Sequence, residues 1–551
     1  MIDTNLQYIA KIIRIQGIFY VAYVLKGNVM NYNDLPDLSS IQSEKERFSI
    51  LLQSLHYNGN LLFAGQLLQR AAQLFAERCA IICRGNSVTY AELYAQACAV
   101  SYVLHNAGIK PHDRICIWFE NSIDFYSAYY GAWQCGAVVV PLNVFLQQRE
   151  LAHIIQDASP SLMLVSKKLK EKLIELPHER VPLILTEDDF SYNGSVDTNK
   201  EIPALDPDEL AILLYTSGTT GLPKGVMLSS RNILVNMVQG AARFNARSDD
   251  RAYCPLPLFH SFAQVCVVWG SVFMGCSVIL IPSITRRLLL EGLAHNPTII
   301  IGVPALYGLF CMMKKLQFKA VRYFICGGDA LPDRIREGFE LLYRRRLCNG
   351  YGLTETSPLI ALNIDDVLLP TNCVGKPVYN IEISLRDKSG ALVAQGSVGE
   401  LLVKGANVMQ GYFNAPQLTE QVLYNGWFCT GDLARLDEKG RIIIVGRVKD
   451  LIINKGMNIY PQEIENVLLL HEKIMRAAVI GVPTEKDGEV PHAYVQSKDL
   501  DEQDEPQLIE WCRKHLAAYK VPRSVKVRKS LPLTSLAKVD KVRLKEEYEK
   551  I

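Results

Sequence analysis

Residues 215–225 read Tyr215-Thr216-Ser217-Gly218-Thr219-Thr220-Gly221-Leu222-Pro223-Lys224-Gly225, a glycine- and hydroxyl-rich stretch that directly follows an apolar run over 210–214. Such a loop can turn backbone N–H groups and hydroxyls toward phosphate oxygens, and its lysine adds a positive charge. It is not a Walker P-loop, because Pro223 stands where that motif requires its second glycine. A glycine-rich loop alone is more often a plain turn, so its meaning depends on the rest of the chain.

Around this loop, short apolar runs alternate with helical stretches, which predicts an α/β fold with largely parallel sheets. The predicted strands cover residues 115–119, 137–141, 162–165, 210–215, 277–281, 298–303 and 323–326. An amphipathic helix is predicted to open the large domain. Its apolar face consists of Ala64, Leu67, Leu68, Ala71, Ala72 and Phe75.

The chain is predicted to divide into an N-terminal extension over 1–60, a large domain over 61–446 and a small mobile α+β domain over 447–551. Residues 31–60 are polar and irregular, which is typical of a linker. From about residue 372, short strands at 381–385, 399–403 and 441–445 lie between glycine turns. They predict a small β-barrel-like subdomain at the end of the large domain.

Composition excludes several classes of protein. The 551 residues include 59 basic and 57 acidic side chains, so no long-range field favours nucleic acid as a partner. The 14 cysteines form no Cys-x-x-Cys pair and no metal-ligand spacing. They predict reduced, buried thiols in a cytoplasmic protein rather than disulfides or a zinc site.

The N-terminal extension carries an apolar run over 15–25, preceded by Lys11 and Arg14. The run is shorter than the roughly 20 residues that cross a bilayer, and no small-x-small cleavage site follows it. Two readings stay open. One is a helix buried against the large domain or a partner, and the other is a peripheral anchor at the inner face of a membrane.

Four further stretches follow the glycine-rich loop: Asn349-Gly350-Tyr351-Gly352-Leu353-Thr354-Glu355-Thr356, Trp427-Phe428-Cys429-Thr430-Gly431-Asp432-Leu433, Gly446-Arg447-Val448-Lys449-Asp450 and Leu531-Pro532-Leu533-Thr534-Ser535-Leu536-Ala537-Lys538. An enzyme that handles ATP needs a carboxylate for Mg²⁺, and Glu355 is the candidate.

In their order and spacing these stretches resemble the motifs of the adenylate-forming enzymes, which include acyl-CoA synthetases, luciferases and non-ribosomal peptide adenylation domains. The resemblance covers residues 61–551 and is strongest to the acyl-CoA synthetase branch, including long-chain fatty acid–CoA ligases. One departure is Ala537, which stands where a glycine is usual and removes some backbone freedom next to Lys538.

The resemblance implies ATP, Mg²⁺ and coenzyme A as cofactors. It implies catalytic roles for Lys538, Thr216, Lys224, Glu355 and His260. Metal binding is assigned to Glu355 and Thr216, and the hinge to Lys449. Cofactor contacts are assigned to Ser217, Gly218, Thr219, Thr220, Gly221, Asn349, Gly350, Tyr351, Gly352, Thr354, Asp432, Arg447 and, for the coenzyme A thiol path, Gly456.

A medium- to long-chain fatty acid is the expected substrate. The stretch Pro255-Leu256-Pro257-Leu258-Phe259-His260-Ser261-Phe262 resembles the family motif that lines the acyl channel, and it lacks the aspartate with which amino-acid-activating relatives hold the substrate ammonium. Acyl contacts are assigned to His260, Phe262, Val303, Gly327 and Gly328. The alternatives are an acyl–acyl carrier protein synthetase of the same fold and a non-catalytic acyl- or nucleotide-binding scaffold. A homodimer also stays open.

Overall fold

A computed structural model describes residues 9–15, 18–24, 41–57, 60–173, 183–190, 202–217, 222–313, 316–364, 369–370, 372–455, 457–484, 486, 488–534 and 538–550; for 9–24, 57, 60 and 217 only the backbone is described. Strands β1 (Ile9–Ile15) and β2 (Ile18–Val24) pair antiparallel. The helix predicted within residues 15–25 is therefore wrong there, because β-branched and aromatic residues favour extended backbone. The described residues include no helix that combines the length and the apolar character of a bilayer span.

The prediction of an irregular linker over 31–60 is wrong for helix α1 (Glu44–Gln53). The Ser43 hydroxyl accepts a hydrogen bond from the Glu46 amide and caps this helix. The helix buries Phe48 and Leu51, and Arg47 Nε donates to the Ala242 carbonyl at 2.7 Å. A short hairpin follows, made of β3 (His56–Tyr57) and β4 (Asn60–Leu61).

Seven strands form the first large sheet, in the order β10 (Leu183–Leu185), β9 (Leu162–Val165), β7 (Arg114–Trp118), β8 (Val138–Pro141), β11 (Leu210–Ser217), β12 (Pro223–Ser229) and β22 (Gly411–Tyr412). The strands from β10 to β11 run parallel. This confirms the predicted strands at 115–119, 137–141, 162–165 and 210–215. Strands β11 and β12 pair antiparallel, and residues 218–221 between them lie outside the described part of the chain.

Eight strands form the second large sheet, in the order β18 (Leu359–Leu362), β17 (Leu347–Gly352), β16 (Tyr323–Cys326), β15 (Ile299–Gly302), β13 (Arg251–Cys254), β14 (Ser277–Leu280), β5 (Cys79–Cys83) and β6 (Asn86–Thr89). From β17 to β5 all neighbours are parallel, and the predicted strands at 277–281, 298–303 and 323–326 are confirmed. The carboxyl ends of parallel strands meet at one edge, which is where ligands bind in open α/β sheets.

Helices and short helical turns accompany the two large sheets. They are α2 (Leu67–Phe75), α3 (Tyr90–Asn106), α4 (Ile123–Gln134), α5 (Gln148–Ala158), α6 (Lys167–Lys170), α7 (Ser230–Arg243), α8 (Ser261–Ala263), α9 (Ser271–Met274), α10 (Arg286–Leu293), α11 (Pro304–Met313) and α12 (Asp333–Tyr343). Helix α2 buries Leu67, Leu68, Ala71 and Phe75, which confirms the predicted amphipathic helix.

A small antiparallel sheet follows, in the open order β19 (Cys373–Gly375), β25 (Ile442–Arg447), β24 (Trp427–Leu436), β21 (Gly399–Gly405) and β20 (Ile381–Arg386), where the sequence predicted a barrel-like subdomain. Strand β23 (Leu423–Tyr424) pairs with β24, and helix α13 (Pro416–Val422) precedes it.

The last segment is α+β, as predicted. Its strands are β27 (Met457–Ile459), β26 (Ile452–Asn454), β29 (Gly488–Gln496), β28 (Arg476–Thr484) and β30 (Ser524–Arg528), and its helices are α14 (Pro461–Leu469), α15 (Glu505–His515) and α16 (Lys541–Glu549).

Candidate functional site

A cavity of about 2370 Å³ lies where the two large sheets, the small sheet and the C-terminal segment meet. Most of the predicted site residues line it. They are Thr216, Lys224, His260, Phe262, Gly327, Gly328, Asn349, Gly350, Tyr351, Gly352, Thr354, Glu355, Asp432, Arg447, Lys449 and Lys538. Val303 does not line it but lies behind Gly328, where its Cγ1 would be 3.6 Å from an added Cβ. The Ser217 side chain and Gly218, Thr219, Thr220, Gly221 and Gly456 lie outside the described residues.

Asp432 is held by two partners at the small-sheet wall of the cavity. It lies on β24 opposite Arg447 on β25, whose Nε is 3.3 Å from Asp432 Oδ1, and the Tyr351 hydroxyl donates to Oδ2 at 2.6 Å. The side chain is nearly buried, and this burial raises the pKa of Asp432 although Arg447, Tyr351 and Lys538 oppose the rise. The carboxylate is thus fixed in one orientation, as an acceptor for a diol must be.

Glu355 lies in a single turn of 3₁₀ helix, Thr354–Thr356, at the end of β17. Its carbonyl accepts the Met409 amide at 2.9 Å, and its Oε1 accepts the Tyr412 hydroxyl at 2.6 Å. The Lys224 ammonium lies 4.2 Å from the centre of the Tyr412 ring. Tyr412 was missed by sequence reasoning because it is far from Glu355 in the chain, and no motif spacing joins the two.

Thr216 supplies a polar atom that lacks a partner. Its hydroxyl is buried and has no hydrogen-bond partner in the described protein, and the residue pairs in register with Lys224 across the β11–β12 hairpin. A carboxylate, an ammonium and an unpaired hydroxyl on one side of a cavity suit Mg²⁺ with phosphate, because Mg²⁺ uses few protein ligands. No group of three His, Cys, Asp or Glu side chains able to hold a metal occurs in the described chain. The residues present therefore fit a magnesium–phosphate group, with most metal ligands coming from outside the protein.

His260 caps the short helix α8, where its Nδ1 accepts the Phe262 amide at 3.2 Å. Its Nε2 is therefore the nitrogen that carries the proton. Desolvation, followed by repulsion from Lys538, lowers the pKa of His260 to about 4, so the ring is neutral at physiological pH.

Lys538 reaches the cavity from the C-terminal segment. It lines the same cavity as His260 and Asp432, and its positive charge acts to lower the pKa of both side chains. Lys449 lies in the 3₁₀ turn Val448–Asp450 at the start of the same segment. Arg334 of the large domain donates to the Glu472 carbonyl at 3.0 Å. The segment is therefore seated on the cavity with Lys538 directed into it.

An apolar arm extends from the Gly327 end of the cavity. Ile301 lines the arm together with Ile299, two residues earlier on the same face of β15, and Ile325 lies beside Ile301 on β16. Helix α7 also lines the cavity, through Met237, Gly240 and Ala241. A Cβ on Gly240 would lie 3.5 Å from Leu359 Cδ2, so an alanine fits there and the glycine leaves extra width. Sequence analysis indicated the β15 and β16 segments but missed the α7 wall.

Comparison with known proteins gives family-level matches over most of the chain. The family model described as AMP-binding enzyme matches residues 68–413, and the one described as AMP-binding enzyme C-terminal domain matches residues 463–538. A feruloyl-CoA synthase from Amycolatopsis sp is 33% identical, over 87% of this chain and 98% of the relative. A long-chain-fatty-acid–CoA ligase from Bacillus subtilis is 31% identical, over 87% of this chain and 94% of the relative.

Solved structures agree with these matches. The o-succinylbenzoate coenzyme A synthetase of Bacillus subtilis, in complex with ATP and magnesium ion, superposes with a TM-score of 0.81 at 30% identity, covering 87% of this chain and 99% of that one.

Proposed function

The chain belongs to the AMP-binding enzyme family and is an acid–thiol ligase, and we propose that it activates a medium- to long-chain fatty acid through an acyl-adenylate and transfers the acyl group to coenzyme A. The observation that carries this proposal is one cavity in which a polar nucleotide side, with Lys224, Glu355 and Lys538, opens into an apolar arm.

In the first half-reaction a carboxylate oxygen of the acid attacks the α-phosphorus of ATP, giving acyl-adenylate and pyrophosphate. The protein contributes positioning and charge, because phosphoryl and nucleotidyl transfers need little covalent help. Lys538 and Lys224 offset the negative charge on the reacting groups. Thr216 and Glu355 would hold Mg²⁺, which would supply neutralisation of the phosphate charge.

The nucleoside is held on the small-sheet side. Asp432 accepts hydrogen bonds from the ribose hydroxyls, while Arg447 and Tyr351 keep its carboxylate in place. At the other side of the reacting atoms, the neutral His260 offers its Nε2–H as a donor to the acid's carboxylate.

The second half-reaction requires Lys538 to leave. We assign residues 61–446 to a fixed domain and residues 447–551 to a mobile one that rotates about Lys449. The rotation withdraws Lys538 and brings the segment around Gly456 to the path of the thiol. The thiol sulfur then attacks the acyl carbonyl carbon and AMP departs. In many enzymes a conformational step of this kind limits the overall rate.

The length of the arm favours an aliphatic chain. From Ile299 to the end of β15 at Gly302 the backbone advances about 10 Å at the usual strand rise. This corresponds to about eight carbon–carbon bonds in zigzag extension. The lining residues of β15, β16 and α7 along that path are apolar, which suits an unsubstituted hydrocarbon chain. Relatives with the same fold act on other acids, such as the feruloyl-CoA synthase, so the arm and not the family supports this substrate.

A panel of carboxylates tests the proposal. We expect kcat/KM, measured as pyrophosphate release, to rise from acetate through hexanoate to palmitate and to stay low for benzoate and ferulate. Preference for either aromatic acid contradicts the proposed substrate. Mass spectrometry of thioesters formed with coenzyme A or with acyl carrier protein identifies the acceptor, and a carrier-protein product alone favours the acyl–acyl carrier protein synthetase. Absence of pyrophosphate release with every acid favours the non-catalytic scaffold.

A further inference from the structure

Tyr412 contacts both oppositely charged groups on the metal-binding side of the cavity. Its hydroxyl donates to Glu355 Oε1 at 2.6 Å, and the face of its ring lies 4.2 Å from Lys224 Nζ. The side chain is only 4% exposed. A phenol carries its proton at neutral pH, so the hydroxyl is the donor in the hydrogen bond to Glu355.

The position of this ring is set by backbone contacts. Tyr412 pairs with Val226 across β12 and β22, and the Phe413 amide donates to the Gly225 carbonyl at 2.7 Å. The Tyr412 amide donates to Thr419 Oγ1 at 2.9 Å. Strand β12 also carries Lys224, so the ring and the ammonium that it contacts are fixed to the same short piece of sheet.

We propose that Tyr412 is a positioning residue for the magnesium–nucleotide site, where its hydroxyl orients Glu355 and its ring keeps the Lys224 ammonium from pairing with that carboxylate. Within the described residues no ion pair joins Lys224 to Glu355, although the ammonium lies over the face of the Tyr412 ring and the carboxylate accepts the Tyr412 hydroxyl. A carboxylate has about four lone-pair positions, so accepting one phenol leaves the others for the cation. The proposal rests on the proposed function, because it takes Glu355 as a metal ligand.

The Tyr412 ring also explains how the charge of Lys224 stays available to the nucleotide. An ammonium over an aromatic face is attracted by the ring quadrupole and keeps its remaining N–H donors available. A Lys–Glu ion pair would instead use both charges on each other, and neither would then act fully on the nucleotide. The tyrosine thus lets one wall of the cavity present a cation and an anion that are close in space but not neutralised.

Binding of Mn²⁺ in the presence of a non-hydrolysable ATP analogue tests this without turnover. Electron paramagnetic resonance titration of Tyr412→Phe is expected to show a loss of roughly 10- to 100-fold in Mn²⁺ affinity, as for other partners of ligating carboxylates. Tyr412→Leu, which also removes the ring, is expected to lose more. Tyr343→Phe is the matched control, because that hydroxyl also has a 2.6 Å hydrogen bond, but to the Phe310 carbonyl and away from the cavity. It is expected to bind as the wild type does.

A double-mutant cycle with Glu355→Gln separates positioning from general destabilisation. If Tyr412 acts through Glu355, adding Tyr412→Phe to Glu355→Gln causes no further loss of affinity. Wild-type Mn²⁺ affinity in Tyr412→Phe overturns the proposal for Tyr412. So does an equal loss of affinity when Tyr412→Phe is introduced into the wild type and into Glu355→Gln. Either result overturns the Tyr412 proposal and leaves the proposed function in place. Wild-type affinity in Glu355→Gln overturns the metal assignment in the proposed function as well.

Discussion

On the nucleotide side of the cavity, charged side chains are held by other polar side chains: Arg447 and Tyr351 hold Asp432, and Tyr412 holds Glu355. The apolar arm is lined by aliphatic residues of β15 and β16 and by residues of α7, among them Gly240. Directional hydrogen bonds fix charges to within a fraction of an ångström, whereas a hydrocarbon wall selects by volume alone. The two regions should therefore respond differently to mutation. A change on the nucleotide side affects every acid alike, and a change in the arm affects acids according to their length.

The largest expected effect is on the nucleotide side. Lys538→Ala removes one charge from the reacting groups, and we expect pyrophosphate formation to fall by about 10²–10³, as when one oxyanion donor is deleted elsewhere. The loss should be the same for hexanoate and palmitate. Thioester formation from chemically prepared acyl-adenylate should continue, because the proposed mechanism uses Lys538 only in the first half-reaction.

Stopped-flow or coupled pyrophosphate assays give the first rate, and thioester product gives the second. An unchanged rate of pyrophosphate release in Lys538→Ala would end the assignment of this lysine. A loss that grows with chain length would instead show that the two regions are not independent.

A smaller and length-dependent effect is expected in the arm. Gly240→Leu places a branched side chain at the α7 lining of the arm, and we expect kcat/KM for palmitate to fall by roughly 10- to 200-fold, the range found for steric discrimination in apolar pockets. Hexanoate should be much less affected. Gly240→Ala is the matched control, because its Cβ would meet only Leu359 Cδ2, at 3.5 Å.

The same panel of acids measures this prediction. An equal loss for all chain lengths in Gly240→Leu would indicate that the fatty acid lies elsewhere or that the variant is misfolded, and the thermal midpoint distinguishes these two cases.

The contrast between the regions also explains what the sequence could predict. The sequence motifs contain Asp432, Glu355 and Lys538. A site that needs a given charge at a fixed position accepts only one type of side chain, so such residues can be recognised in the sequence. Seven predicted strands occur in the two large sheets, because buried parallel strands are continuous apolar runs. Gly240 was not predicted, since a glycine within a helix of mixed residues has no local signal. Tyr412 was not predicted either, because its partners Glu355 and Lys224 come from separate parts of the chain.

The N-terminal region shows the limit of apolar runs as a signal. A short run bounded by basic residues fits a helix or a strand equally well by length. Here β-branched and aromatic residues decide in favour of the strands β1 and β2. The linker expected before residue 60 was wrong at α1 for a different reason. Two polar residues of α1 bind the large domain: Arg47 donates to the Ala242 carbonyl, and Glu44 forms an ion pair with Arg243.

The smallest effect is expected at His260, which lies between the two regions. Desolvation lowers the pKa of His260 to about 4 in the folded protein, whereas it is near 6.5 in the unfolded chain. Between these values the unfolded chain binds more protons, so folding stability falls as the pH falls from about 6.5 to 4. In His260→Gln this contribution is absent. We therefore expect the thermal midpoint of the wild type to drop more than that of His260→Gln between pH 7 and about 4.5. Differential scanning calorimetry measures both midpoints. If the midpoints of the wild type and His260→Gln fall by the same amount over that interval, the imidazole is accessible to water, and the polar and apolar regions are not separated at this residue.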